Sequence, residues 1–330
     1  MSPRTILACS GGFLHRAVES SDGRWQVEEK LKDVHVLSLA QDLMNQDVLY
    51  AGTDQQGLWT SADRGASWQQ LGLENRIIKS LAVSPHDPKI LYAGTKPALM
   101  YKSTDGGESW YELEGFRRIP NRWWWFSPAE PPDWRAYVIE ISISPADPEV
   151  VLAGVEFGAV VRSEDGGKTW SRHRPGALRD CHSLKFHHQD PMWAYQAGHG
   201  GLSLSREAGQ KWEKHSRGLA ARYGIVCAAD PAQREIWYGC VGSSPRNAFG
   251  DDPEVYLYRS EGNDWRAIGW QEHPLTETPT ALVTLPGAAG ELYAGLQRGS
   301  VLHSRDYGEN WTRLPLDLDG IWHHMIVIPE

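Results

Sequence analysis

The sequence predicts an all-β protein, a single seven-bladed β-propeller of four-stranded antiparallel blades, and three observations lead to this prediction. An eight-residue pattern recurs along the chain, short apolar strands separated by turn residues precede its copies, and the 330 residues include 16 Trp and 33 Gly. A structural unit repeated every 40 to 50 residues is typical of propeller blades.

The recurring pattern is S-x-D-x-G-x-x-W. Full copies occupy residues 61–68, 103–110, 163–170 and 304–311, with their aspartates at Asp63, Asp105, Asp165 and Asp306. A degenerate copy at 205–212 has Glu207 in place of the aspartate, and two shortened copies end at Trp25 and Trp265. The seven terminal tryptophans lie about 48 residues apart on average, which matches the length of a blade.

The pattern has a local physical reason. Ser and Asp side chains two residues apart can accept hydrogen bonds from the following backbone N–H groups, and Gly adopts the positive φ of a tight turn at little cost. The Trp begins the outgoing strand and offers a broad apolar surface to a neighbouring sheet. The four aspartates are therefore predicted to be structural turn formers.

Each repeat reads as strand, Asp-Pro or polar turn, strand, loop, strand, eight-residue turn and strand. The first unit lacks an inner strand, and an apolar strand is left over at 321–328, so we expect that strand to complete the first blade and close the ring. The predicted organisation is one propeller domain over 1–330. Its parts are blade one at 5–30 plus 321–328, blade two at 33–71, blade three at 76–113, an insertion at 114–136, blade four at 137–173, blade five at 180–215, blade six at 222–268 with an insertion at 239–254, and blade seven at 278–314.

On these motifs the chain resembles the Asp-box (BNR) repeat β-propellers, a group that includes sialidase-like enzymes, xyloglucan-cleaving enzymes and photosystem assembly factors. The resemblance covers nearly the whole chain. It implies the fold but not a function, because different sites are built on the same scaffold. Arg118-Ile119-Pro120 resembles a sialidase segment in letters but not in position, so sialidase activity is not expected.

Both insertions fall on the face opposite the eight-residue turns, together with the connections between blades, one of which contains His273. The first insertion combines tryptophans with arginines, a composition typical of recognition surfaces. The candidate ligand-binding residues are Arg118, Arg122, Trp124, Glu156, His182, Arg222 and Arg246.

The candidate catalytic residues are Glu156, His182, His199 and His323, because their loops can converge on the propeller axis. Catalysis remains undecided at this point, and a glycosidase or lyase is the class that the resemblance allows. No cofactor is required. A divalent metal held by the same N and O donors is an alternative.

Composition narrows the partners. The formal net charge of −9 argues against nucleic acid, and no apolar stretch is long enough for a membrane span. The four cysteines are widely spaced, which indicates free thiols and a cytoplasmic protein. Our hypothesis is a propeller that binds a small anionic or ring-containing molecule, or a partner protein, on its insertion face. The alternative is a hydrolase or lyase that acts on an anionic saccharide-like substrate in the central pocket.

Overall fold

The computed structural model describes residues 4–10, 12–271 and 274–329. Within these residues, 27 strands form seven antiparallel sheets arranged as the blades of a β-propeller. Each sheet runs outward from an inner strand near the axis, so the prediction of a seven-bladed propeller is confirmed.

The strand bounds are as follows. Blade one has β1 (Arg4–Cys9), β2 (Leu14–Glu19) and β3 (Trp25–Lys30). Blade two has β4 (Val36–Gln41), β5 (Leu49–Thr53), β6 (Leu58–Ser61) and β7 (Gln69–Gly72). Blade three has β8 (Ile77–Val83), β9 (Leu91–Lys96), β10 (Met100–Ser103) and β11 (Tyr111–Glu112), and blade four has β12 (Val138–Ile143), β13 (Val151–Val155) and β14 (Val160–Ser163). Blade five has β15 (Cys181–Phe186), β16 (Ala194–Gly198), β17 (Gly201–Ser205) and β18 (Glu213–Lys214). Blade six has β19 (Tyr223–Ala229), β20 (Trp237–Gly242), β21 (Val255–Glu261) and β22 (Asp264–Ile268). Blade seven has β23 (Pro279–Thr284), β24 (Leu292–Leu296), β25 (Ser300–Ser304) and β26 (Thr312–Asp317), and β27 (Met325–Pro329) follows it.

The residues that the structure describes include three short helices outside the blades. They are α1 (Glu114–Arg117), a 3-10 helix (Arg122–Trp124) and α2 (Pro245–Ala248). Among the described residues, no helix is long and apolar enough to cross a membrane.

The ring is closed by β27, which pairs antiparallel with β1. Ile6 lies opposite Val327 and Ala8 lies opposite Met325, and the sheet order is β27-β1-β2-β3. The first blade therefore takes its inner strand from the far end of the described chain. This pairing covers the edge that β1 would otherwise expose.

Adjacent blades pack closely because their second strands contain glycine where the next inner strand approaches. A Cβ on Gly94 of β9 would lie 2.6 Å from the Cβ of Val138 in the next blade. The apolar clusters accordingly span two blades; one of them joins Tyr50 and Leu58 of blade two to Ile78 and Leu81 of blade three. These contacts hold the inner strands, and the loops that follow them, in fixed positions around the axis.

The fourth blade departs from the regular pattern. Its sheet has three strands, and residues 171–174 take the fourth position with two backbone hydrogen bonds, from Ser171 to Arg162 and from Arg174 to Val160. Two side chains replace missing backbone acceptors: the Ser171 hydroxyl accepts from the Arg162 amide at 2.9 Å, and His173 Nδ1 accepts from the Val160 amide at 3.2 Å.

The eight-residue turns share one hydrogen-bond pattern. In the copy at 103–110, Ser103 Oγ donates to Asp105 Oδ1 at 2.7 Å, the Ser109 amide donates to the same oxygen at 2.9 Å, and the Ser109 hydroxyl donates to Oδ2. Trp110 Nε1 donates to the Gly107 carbonyl at 3.0 Å, and Gly107 has a φ of 97°. The same contacts occur around Asp63, Asp165 and Asp306. In this geometry the aspartate holds the turn and the Trp fixes the start of the next strand.

We expect Asp105→Ala to lower the melting temperature, because Ser103 and Ser109 lose their acceptor, whereas the neighbouring exposed Glu108→Ala should leave it unchanged. Hydrogen bonds from Ser109 and Ser103 lower the pKa of Asp105 from 3.8 to about 2. A carboxyl group with a lowered folded-state pKa stabilises the fold above its unfolded pKa and loses that effect as the pH falls through the folded value. The difference in melting temperature between wild type and Asp105→Ala should therefore narrow between about pH 4 and pH 2 in scanning calorimetry, and a pH-independent difference would contradict this role.

Candidate functional site

The loops between second and third strands and the connections between blades share one face of the propeller. Backbone bridges join them, for example between Asp54 and Ile77 and between His199 and Tyr223. The eight-residue turns lie on the opposite face, because antiparallel strands of this order reverse direction at each loop. We call the face with the blade connections the insertion face, because the insertion at 114–136 and the loop that joins β20 to β21 both lie on it. Residues 239–242 of the predicted second insertion belong to β20.

The first insertion is seated on blade four by two buried side chains. Phe116 is fully buried and Ile119 is almost so, and the Phe116 ring packs edge to face on Trp170 (5.3 Å between centroids) and on Trp125 (5.9 Å). From the other side, Lys96 donates to Glu130 at 2.8 Å, and Lys79 donates to Glu130 at 2.6 Å. The insertion is therefore a packed part of the domain.

Most arginines of this insertion are used to hold it in place. Arg117 pairs with Glu112, Arg118 with Glu114 at 2.9 Å, and Arg135 with Asp133 at 2.7 Å. Arg122 donates to the carbonyl groups of Ala98 (2.5 Å) and Phe116 (3.3 Å) and lies over the Trp125 ring. Of the two arginines in this insertion that were predicted to bind a ligand, Arg122 is thus an anchor of the insertion, and Arg118 is an exposed residue with a carboxylate partner.

The tryptophans behave differently from the arginines. Trp123, Trp124, Phe126 and Trp134 are each more than half exposed, and the indoles of Trp123 and Trp124 stack at 4.2 Å. We call these four residues the aromatic patch. Exposed aromatic side chains concentrated in one segment are typical of a recognition surface.

A cleft of about 490 Å³ opens beside the aromatic patch. Its walls include Trp124, Trp125 and Phe157, and its polar side contains Arg172, His173, Arg179 and Asp180. Burial lowers the pKa of His173 to about 4, with Arg179 adding to the effect, so the ring is neutral at pH 7. We call this the arginine cleft.

The two arginines of the cleft are exposed, and among the described residues neither side chain makes an ion pair or hydrogen bond. They are therefore free to contact an anion, which distinguishes Arg172 and Arg179 from the paired arginines of the first insertion.

A compact trio of ionisable groups lies next to the cleft. Glu156 follows β13, Asp180 precedes β15, and His182 is the second residue of β15. His182 Nε2 is 3.3 Å from Asp180 Oδ2 and 3.7 Å from Glu156 Oε2, and all three side chains are at least nine-tenths buried. Desolvation raises the pKa of the Glu156 carboxyl group. Burial opposes the charge of His182, but Asp180 and Glu156 outweigh it and raise the pKa of the imidazole.

Of the four residues predicted to converge on the axis, the structure brings Glu156 and His182 into this trio and places the other two beside it. The His199 ring is exposed and packs against Tyr223 at 6.5 Å, and His182 contacts the same Tyr223 ring at 4.8 Å. The His323 side chain is exposed, and it interacts with His182 through the charges of the two rings.

Behind the trio runs an axial channel of about 360 Å³, lined by the inner strands. His182 lies at one end, and further along Lys185 pairs with Glu140 at 3.6 Å. His188 also lines this channel, although its turn belongs to the opposite face.

The remaining candidates lie around the rim. Arg222 and Arg246 are exposed, and Arg246 is the second residue of α2 in the second insertion. Phe249 from that insertion packs near Tyr223 and Trp322 at the mouth of the channel. His273 lies outside the described residues.

The sequence places Arg179 and Asp180 in a connection on the insertion face, but neither they nor Arg172 were among the candidate site residues. The available signal was the string RDCH at 179–182, in which a carboxylate precedes the candidate His182 by two residues. Residues i and i+2 of an extended chain share a face, so the pair can act together. Arg172 gave no such signal, because its exposure depends on the irregular fourth position of blade four.

No protein-family model and no curated protein matches the chain. Among solved structures, it is similar to an ancestral GH74 enzyme (17% identity over 89% of this chain and 38% of that one, TM-score 0.63) and to the GH74 enzyme of Niastella koreensis (15%, 96% and 66%, TM-score 0.59). It is also similar to YCF48 bound to D1 peptide (19% identity over 84% of this chain and 80% of that one, TM-score 0.56). The chain thus spans about two fifths and two thirds of the two GH74 enzymes. At these identities the similarity shows the shared propeller fold alone.

Proposed function

We propose that this protein is a binding propeller whose insertion face captures an acidic segment of a partner protein that carries an aromatic or large aliphatic side chain. The observation that carries the proposal is the position of Arg172 and Arg179, which have no ion-pair partner in the described ranges, in a cleft walled by aromatic rings. Guanidinium groups bind carboxylates through two parallel hydrogen bonds, and indole faces bind flat or apolar groups.

The local charge of the cleft, and not the net charge of the protein, favours an acidic ligand. The protein has a net charge of −9, so its overall field repels anions and only a local cluster of cations can hold one. The cleft supplies that cluster. An acidic segment would pair with Arg172 and Arg179 while its apolar residue lies against Trp124.

The extent of the aromatic surface favours a protein segment over a small molecule. Trp123 and Trp134 belong to the aromatic patch but do not line the cleft, so a ligand that covers them must extend beyond it. A peptide-bound structure of the same fold, YCF48 bound to D1 peptide, supports such a site at the level of the fold alone.

The enzyme alternative receives less support from the geometry. Glycoside hydrolysis needs two carboxyl groups on either side of an accessible glycosidic bond. The side chains of Glu156 and Asp180 are only 7% and 6% exposed, and their carboxylate oxygens lie within 4.8 Å of each other. A saccharide between them would have to displace the surrounding residues.

The proposal is tested with fluorescein-labelled synthetic peptides that alternate Asp or Glu with Phe or Leu, measured by fluorescence anisotropy. We expect the acidic peptides to bind and their Asn and Gln counterparts to bind at least tenfold more weakly. The double variant Arg172→Ala, Arg179→Ala should lose at least tenfold in affinity, because each charged hydrogen bond contributes about 1.5 to 3 kcal/mol.

The matched control is Arg118→Ala, which removes an arginine of the same face that already pairs with Glu114 and should keep full affinity. Equal binding of acidic and neutral peptides, or an equal loss in the control, would refute the proposal. Phenylacetate and glucuronate serve as small-molecule probes. If these bind and the peptides do not, the cleft is a small-molecule site and the partner proposal is wrong.

A further inference from the structure

We propose that Glu156, Asp180 and His182 form a binding site for a first-row divalent transition metal such as Zn²⁺, next to the arginine cleft. The three side chains offer one imidazole nitrogen and two carboxylate oxygens, all within 4.8 Å of one another. This donor set is suited to divalent transition metals. The proposal does not depend on peptide binding.

The orientation of His182 favours a metal ligand. Its Nδ1 lies 2.5 Å from the carbonyl oxygen of Gly224 and donates to it, so Nε2 is the nitrogen that faces the two carboxylates. A metal ion would bind Nε2 in place of the proton that these carboxylates favour there. A backbone carbonyl that fixes the tautomer in this way is the usual outer partner of a metal-bound histidine.

Asp180 is oriented by a similar contact. Its Oδ1 accepts a hydrogen bond from the Phe157 amide at 3.0 Å, which leaves Oδ2 directed toward His182. The two atoms that face each other, Asp180 Oδ2 and His182 Nε2, are buried and have no hydrogen-bond partner among the described residues. Buried polar atoms without a partner are rare and costly, and a bound cation would satisfy both of them.

The spacing fits a metal better than a direct hydrogen bond. His182 Nε2 is 3.3 Å from the Asp180 oxygen and 3.7 Å from the Glu156 oxygen. Charge-assisted hydrogen bonds are about 2.7 to 2.9 Å long. Ligand atoms on a tetrahedral zinc ion lie about 3.4 Å apart, given metal bonds of about 2.1 Å.

The site also has access routes and an open position. His182 lines the axial channel and Asp180 lines the arginine cleft, so a hydrated ion can approach from either side. Three protein ligands leave at least one coordination position for water or for an anionic group. Regions of the cleft that bind carboxylates therefore border the proposed metal.

The experiment is a titration of the full-length protein, stripped of metal with a chelator and exchanged into chelator-free buffer, with Zn²⁺ in an isothermal titration calorimeter. We expect one Zn²⁺ per chain and a rise in melting temperature when the ion is added. Asp180→Asn and His182→Gln should each weaken binding at least tenfold and abolish that rise. Mg²⁺ should compete weakly, because imidazole is a poor ligand for it.

The control variant is His199→Ala, which removes an exposed histidine on the same Tyr223 ring and should bind Zn²⁺ like the wild type. Circular dichroism of each stripped variant establishes that it is folded, and Asp180→Asn provides the test if His182→Gln is not. The proposal is overturned if the wild type binds no Zn²⁺, if both site variants retain full affinity, or if His199→Ala loses as much affinity as they do.

Discussion

Removing the chain from residue 319 onward should abolish the cooperative unfolding transition of the propeller. The deletion takes away β27, the inner strand of blade one, and with it the buried side chains of Ile321, Met325, Val327 and Ile328. Burying a large aliphatic side chain stabilises a fold by about 1.5 to 3 kcal/mol, so the loss is about 6 to 12 kcal/mol. Since the free energy of unfolding of a folded domain is about 5 to 15 kcal/mol, the deletion removes most of it.

The measurement is urea unfolding followed by tryptophan fluorescence and circular dichroism. Val327→Asp should reproduce much of the loss, because it places a charge opposite Ile6 in the interface between blades one and seven. Ile326→Thr is the control: this side chain is half-buried and lines the axial channel, and its substitution should cost much less. A truncated protein with an unchanged transition would contradict closure by β27.

The fold was accessible from the sequence because its signals are local. The serine, aspartate and glycine of each eight-residue turn contact one another within four residues, as Ser103, Asp105 and Gly107 do. The closing strand could be predicted for a different reason. The first blade lacks one strand and the strand at 321–328 has no blade of its own, so pairing the two accounts for both observations.

The site was accessible only in part, because it depends on contacts between distant segments. Glu156 and His182 were singled out by their loops, but the sequence carries no sign that Asp180 turns its free oxygen toward His182 through a bond to Phe157. The arginines show the same limit. Whether an arginine is free or paired depends on neighbours such as Glu112 and Glu114. Arg118 has a carboxylate partner, whereas Arg172 has none within the part of the chain that the structure describes.

The irregular edge of blade four connects the fold to the cleft. In a regular fourth strand, backbone carbonyl groups would accept hydrogen bonds from the amides of β14. Here the side chains of Ser171 and His173 accept two of these hydrogen bonds instead. Arg172 therefore lies at the cleft, and the first insertion packs over Trp170 where this segment begins. The insertion and the altered strand together form the walls of the cleft.

Phe116→Ala should have the second-largest effect, and it tests whether the insertion is a seated part of the domain. The ring is fully buried between Trp125 and Trp170 and lies beneath the guanidinium group of Arg122. Truncating a buried phenylalanine to alanine costs about 3 to 5 kcal/mol, since the cavity is only partly refilled. We expect the urea midpoint to fall accordingly.

The matched control is Phe126→Ala, the same substitution in the same insertion at a side chain that is 56% exposed. It should change stability by less than about 0.5 kcal/mol, as surface substitutions usually do. Phe116→Ala should also weaken binding of the acidic peptides, because Trp125, which packs on Phe116, is a wall of the arginine cleft. Equal stability of the two variants would mean that Phe116 does not seat the insertion, and the walls of the cleft would then need another support.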